Sequence, residues 1–269
     1  MKYLLLAAIA AFPLSPLHAE SPKPLKVLLI TGGCCHDYKT QKDILKDGLE
    51  ARANIEITQI HSADGSVKPP LPIFGNPEYA KGFDLVIHDE CAAGITDLAT
   101  IDGVLKPHRE DGIPAVNLHC AMHSYRFGDF KKPLEKGADN GHWYEYLGLH
   151  STGHGPQKPI DIHFTEKDSP ITKGLEDWTT INEELYNNVA VLTGQALATG
   201  KQGDSEAVVV WTNFYGPKKT RVFSTTIGHN NDTVADDRYL DLVTRGLLWA
   251  CSKLDKDGKP LAGYGVAAP

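Results

Sequence analysis

No run of lysines and arginines interrupts the chain, and its basic residues are outnumbered: 27 Lys and Arg stand against 34 Asp and Glu, a net charge of −7. A nucleic-acid partner is therefore not expected, because holding a phosphate backbone needs a basic stripe. Beyond the first 19 residues there is no apolar stretch near the roughly 20 residues that cross a bilayer. Internal repeats and low-complexity tracts are absent, which excludes solenoids and fibres. No Cys-x-x-Cys pair occurs, so neither a thioredoxin-type site nor a zinc ribbon is supported. The His-Glu-x-x-His pattern of many zinc hydrolases is missing too. What remains, 41% hydrophobic and 23% charged over 269 residues, is the composition of one globular α/β domain.

The N-terminus has the order of a secretory signal. Lys2 supplies one positive charge, Tyr3 to Phe12 is almost continuously apolar, Pro13 to His18 breaks the run, and Ala19 is small enough for cleavage. The expectation is a signal peptide over 1–19 and a single domain over 20–269, exported to the periplasm or secreted, with no membrane attachment after cleavage. Export permits disulfides, but the five cysteines are an odd number and leave at least one thiol free. Pairing of Cys120 with Cys34, Cys35 or Cys91 is one reading, and a free, reactive Cys120 is the other. Cys34 and Cys35 are adjacent and are not expected to close on each other. Cys251 reads as a buried hydrophobe in the last helix.

Lys26 to Thr31 is a short apolar run stopped by Gly32-Gly33, the form of a buried strand. A helical spacing over 40–53, strands over 55–61, 83–88 and 114–119, and a helix over 96–108 continue the alternation. Strand–helix–strand order of this kind predicts a mostly parallel sheet covered on both faces. Residues 124–159 lack clean periodicity and read as a long loop excursion over the strand ends. Strand-like runs at 160–164, 189–197, 207–213 and 220–227 precede an amphipathic helix over 234–254.

In a parallel sheet the strands end at one edge, and ligands bind beyond it. His36 follows the first strand, Glu90 and Cys91 the third, His119, Cys120 and His123 the fourth, and His229 the last. Three chemistries fit this set. His119, His123 and His229 could hold a divalent metal such as Zn²⁺, with His36, Glu90 or Glu184 completing the shell. Cys120, where a strand turns into a helix, could be a nucleophile with His229 as its base. Without metal or thiol, His and carboxylate groups could do acid–base work on a sugar stacked on Trp143, Tyr144 or Tyr146. By residue type alone, Glu183-Glu184 reads as a solvated turn.

The opening strand with Gly32-Gly33 and His36, Val116 to Cys120, and Tyr146 to His150 resemble the trehalose-utilisation, or ThuA-like, domain. So do Ser169 to Leu175, Glu183 to Tyr186, Val210-Trp211, Arg221 to Phe223, Ile227 to His229 and Gly246 to Ala250. The resemblance implies a flavodoxin-like, doubly wound α/β fold related to class I glutamine amidotransferases. It also implies a place in bacterial carbohydrate use, particularly of disaccharides and their 3-keto derivatives. It adds weight to Glu184, His119 and His229 as catalytic residues, beside Cys120, with His36, Glu90, Trp143 and Tyr186 as substrate-binding groups. The chain departs from the amidotransferase pattern. Leu118 to Met122 lacks both glycines of the nucleophile elbow, and His229-Asn230-Asn231 lacks the orienting carboxylate, so glutaminase chemistry is not expected. The leading expectation is an enzyme acting on a keto-glycoside or related sugar by hydrolysis, elimination or isomerisation. A Cys120 hydrolase and a non-catalytic carbohydrate-binding protein are the alternatives.

Overall fold

The computed structural model describes residues 22–266, so the expected signal segment at 1–19 lies outside the described residues. Strand β1 (Leu25–Gly33) leads to α1 (Tyr38–Glu50), β2 (Ile55–Ser62), β3 (Leu85–Cys91), α2 (Leu98–Lys106) and β4 (Ala115–Leu118). Shorter elements follow: α3 (His142–Leu147), β5 (Leu149–His150), β6 (His154–Lys158), β7 (Asp161–Phe164) and β8 (Trp178–Thr179). The chain continues with β9 (Glu183–Tyr186), β10 (Ala190–Val191), β11 (Gln195–Gln202), β12 (Ser205–Tyr215), β13 (Thr220–Thr225), α4 (Asn231–Val234) and α5 (Asp237–Ala250).

Nine strands make the main sheet, in the order β2-β1-β3-β4-β13-β12-β11-β7-β8. From β2 to β13 neighbouring strands are parallel. Their succession is the 2-1-3-4-5 order of flavodoxin-like folds, so the chain has the expected α/β class. The other half is antiparallel. It reverses because residues 216–219 alone join β12 to β13 and Gly203-Asp204 alone joins β11 to β12, connections too short for anything but hairpins.

Alternation along β1 sorts the core onto two faces. Val27 and Leu29 pack with Leu45 and Leu49 of α1 and Val243 and Leu247 of α5. Leu28 and Ile30 point the other way, toward Ile101 and Leu105 of α2 and Trp143 and Tyr146 of α3. Each long helix starts on an aspartate cap: Asp37 receives the Thr40 N–H, Asp97 that of Thr100, and Asp236 that of Arg238. The segment after β4 is more ordered than a loop. Trp143 Nε1 donates to the Ala121 carbonyl at 2.9 Å, and the Tyr146 hydroxyl to Asn117 Oδ1 at 2.9 Å. An aromatic layer thus covers one face of the sheet and fixes where β6 emerges. Among the described residues, no helix is long and apolar enough to cross a membrane.

Candidate functional site

Close backbone approaches bring the strand ends together. Gly33 ends β1 at φ 104°, and a Cβ there would stand 2.2 Å from the Cys91 carbonyl oxygen. Only glycine allows β1 to run against β3 and then turn into Cys34-Cys35-His36. At the end of β4 the backbone of His119 is left-handed, φ 37°, where the strand breaks into a tight 3₁₀ turn over His119–His123. Gly228 (φ 126°) passes against the Tyr239 hydroxyl and delivers His229. Strand β9 brings Glu184 and Tyr186, and β6 lies antiparallel to it, with Gln157 opposite Glu184 and His154 opposite Tyr186.

Three imidazoles converge there. The His36 ring stands edge-on to His119 at 4.6 Å and to His229 at 4.7 Å between centroids. One nitrogen from each of the three lies within 4.8 Å of the others. Glu184 Oε2 sits beneath them, 3.6 Å from His119 Nε2, 3.4 Å from His229 Nδ1 and 3.6 Å from His154 Nε2. His119 Nδ1 donates to the Thr226 carbonyl at 2.6 Å. This leaves His119 Nε2 with the lone pair, 3.2 Å from the Tyr186 hydroxyl. Gln157 Nε2 donates to His229 Nε2 at 2.8 Å and to Glu184 Oε1 at 3.2 Å.

The electrostatics separate the roles. Burial, reinforced by His119 and His229, pushes the His36 pKa down to about 2, so His36 is a neutral donor. Burial works against a charged Glu184, but the neighbouring His119 and His229 rings override it and hold the carboxyl below its ordinary range. The Glu184 hydrogen bond in turn raises the His229 pKa above the ordinary imidazole value. The arrangement can shuttle protons between Glu184 and His229. It also suits a cation: Nδ1 of His36 is buried and has no hydrogen-bond partner. Three imidazoles are a donor set for Zn²⁺-class ions, and a carbonyl-anchored imidazole such as His119 is the usual outer-shell support of a metal ligand.

His36, His119, His229 and Glu184 are thus brought together, with Tyr186 against them. His123 is not. The turn carrying it is 3₁₀, with about three residues per turn, so His119 and His123 do not share a face as they would on an α-helix. His123 Nε2 meets the Ser151 hydroxyl at 2.9 Å, and its ring stacks on Tyr186 at 4.1 Å. Glu90 and Trp143, expected to bind substrate, are core residues. The Glu90 carboxylate meets His88 Nδ1 at 2.8 Å and receives the Tyr125 hydroxyl at 2.6 Å, all of it fully buried. Trp143 is 1% exposed between Tyr125 and Tyr146, and Tyr144 is equally buried, so neither offers a sugar a stacking face. Cys120 is also buried, and its hydrogen bond with Cys91 together with burial drives its thiol pKa well up, against thiolate chemistry.

Two further expectations are corrected. Cys34 and Cys35 do close on each other, at a turn where Cys35 is left-handed (φ 85°), while Cys91, Cys120 and Cys251 are free. Glu183-Glu184 is a buried strand rather than a solvated turn, because Glu183 accepts the backbone N–H groups of His229 and Asn230 at 2.9 and 3.0 Å. Gln157 had no signal in the sequence, since β6 is largely exposed and without apolar alternation. His154 had one, its spacing from His150, but His150 Nε2 turns away to the Phe130 carbonyl. Two clefts flank the cluster. One of about 490 Å³ opens at His36, Asp37, His229 and Asn230, and one of about 760 Å³ at His154, Tyr186 and Asn187.

Comparison with known proteins places this geometry in context. A family described as ThuA, trehalose utilisation, matches residues 26–250. No curated protein is matched. Among solved structures, a ThuA-like protein of Parabacteroides merdae is similar at 19% identity and a TM-score of 0.62, covering 89% of this chain and 98% of its own. One from Bacteroides uniformis is similar at 14% identity and a TM-score of 0.57, with 91% and 98% covered. Agd3, a carbohydrate deacetylase, is similar at 14% identity and a TM-score of 0.53 over 86% of this chain but 33% of its own. At these identities the likeness is one of fold.

Proposed function

Because the chain belongs to the ThuA, trehalose-utilisation family, we propose that it is an enzyme acting on a carbohydrate derivative, a keto-glycoside or related sugar. Its chemistry is hydrolysis, and its centre is His36, His119, His229 and Glu184. The observation that carries this reading is the convergence of three imidazoles on one carboxylate, with the buried His36 Nδ1 unpartnered. Binding alone does not call for so many titratable groups in one place. The deacetylase activity of the fold neighbour Agd3 supports hydrolysis on a carbohydrate.

His36, His119 and His229 would hold a zinc-class cation, which supplies Lewis acidity toward a carbonyl and a more acidic bound water. Around it the chain's own groups divide the work. Glu184, ionised and beside His229 Nδ1, takes the proton from the attacking water. Glu184 then returns that proton to the departing oxygen, since a ring nitrogen that holds the cation has none to give. The Thr226 carbonyl, accepting from Nδ1, holds the His119 ring in the tautomer whose Nε2 is free for the cation, and the Tyr186 ring packs against it. Gln157 bridges His229 and Glu184 and keeps their separation short.

Elemental analysis of chelator-free protein, paired with turnover of keto-glycosides and acetylated sugars, tests this. Near-stoichiometric metal is expected, and His119→Ala should lose both the metal and about 10²- to 10⁴-fold of the rate. Unchanged turnover in folded His119→Ala would remove the assignment.

A further inference from the structure

Four of the five cysteines lie outside that centre yet gather beside it. The sulfurs of Cys34, Cys35 and Cys91 all lie within 4.8 Å of one another, and Cys34 Sγ is 3.5 Å from Cys91 Sγ. Cys120 packs with Cys91 and Tyr38 in one small buried cluster, against which Cys34 rests. These sulfurs come from the ends of three parallel strands, held close by the Gly33 contact with the Cys91 carbonyl.

Two chemistries could use such a group, and the shape separates them. Thiol–disulfide exchange needs the attacking sulfur in line with the bond it breaks. With an S–S bond of about 2.05 Å, in-line attack by Cys91 on Cys34 would put Cys91 and Cys35 more than about 5 Å apart. Their sulfurs are closer than that, within 4.8 Å, so the three form a triangle. A triangle of sulfurs is a ligand set. Metal–sulfur bonds of about 2.3 Å require sulfurs roughly 4 Å apart, near the Cys34–Cys91 separation already present.

We propose that Cys34, Cys35 and Cys91, once the Cys34–Cys35 disulfide is reduced, form a three-thiolate site for a soft d¹⁰ cation. Reduction takes two electrons and two protons from a dithiol, which becomes a disulfide, and breaks the Cys34–Cys35 bond. The entering cation then displaces three thiol protons to solvent. Exposed Cys35 lines the same cleft as His36, giving the ion a path in.

The test is a Cd²⁺ titration of the full chain, reduced with a dithiol and desalted without oxygen, followed by the ultraviolet thiolate-to-cadmium absorption that imidazoles do not produce. One equivalent should saturate the band. The oxidised chain should show none, and the band should persist in His229→Ala. Cys91→Ser and Cys35→Ser should each weaken binding by more than the roughly 10- to 100-fold that loss of an outer-shell partner costs. Should Cys91→Ser not fold, Cys35→Ser, at an exposed position, decides. No band in reduced protein, a band undiminished in the variants, an equal band in oxidised protein, or loss of native circular dichroism on reduction would each overturn the proposal.

Discussion

Glu183 holds His229 by its backbone: the carboxylate accepts the His229 N–H through Oε2 at 2.9 Å and the next N–H, that of Asn230, through Oε1 at 3.0 Å. Gln41 Nε2 completes the grip by donating to the His229 carbonyl at 2.9 Å. Glu184, the proposed base, is the next residue along the same strand, so a single four-residue strand places both that carboxylate and the loop that carries His229. Glu183 is in this sense a positioning residue.

Glu183→Ala is expected to lower kcat by about tenfold or more with little change in KM, since substrate contacts remain while His229 drifts. Glu183→Gln, which keeps one acceptor oxygen, should recover part of the loss. Steady-state kinetics on both variants, with circular dichroism to confirm folding, checks it.

Cys120→Ala should retain turnover to within about threefold, because a buried thiol with a raised pKa does not act as a nucleophile. Iodoacetamide at neutral pH should likewise leave the rate intact. Loss of activity in either case would return the thiol to the mechanism.

Gly33→Ala forces a Cβ to 2.2 Å from the Cys91 carbonyl at a φ of 104°. Both the clash and the left-handed backbone oppose it, so a destabilisation of about 2 kcal/mol or more is expected. A urea titration of the variant against the parent measures this.

Acid should weaken the fold through a histidine far from the imidazole trio. His108 donates from Nδ1 to the Ile113 carbonyl at 2.7 Å and faces His88 at 3.1 Å between Nε2 atoms. Burial, followed by His88, takes its pKa from 6.5 down to about 3. The folded-state value is below the unfolded one, so the unfolded chain takes up a proton first as pH falls through 6.5. Stability should therefore decline between about pH 6.5 and 3, by up to about 1.4 kcal/mol per pH unit for this proton. Unfolding midpoints across that range should show a flatter dependence in His108→Gln, though that variant starts lower.

The residues of the imidazole trio were visible in the linear chain because each follows an apolar run, and buried parallel strands announce both themselves and their ends. Leu28 and Ile30 look like Val27 and Leu29 in sequence, and all four are buried, as expected for a strand covered on both faces. Glu184 was legible as a candidate metal ligand and gained weight from the family resemblance, although by residue type alone it read as part of a solvated turn. Gln157 on β6 was not legible at all, because an exposed strand beside a glycine-rich loop carries no hydrophobic period.

By itself, then, the sequence determined the α/β class, the parallel half of the sheet, and which strand ends carry His36, His119 and His229. These follow from local apolar periodicity and from topology rules that need no coordinates. Tertiary structure alone decided which polar groups meet. It moved Glu90 and Trp143 into the core, turned His123 toward Ser151, paired Cys34 with Cys35, and set Gln157 across from Glu184. The reason is physical: a side chain's partner depends on backbone twist, turn type and ångström-scale approach between distant segments. A left-handed φ at His119 and a missing Cβ at Gly33 leave little trace in composition, yet they place the reactive atoms.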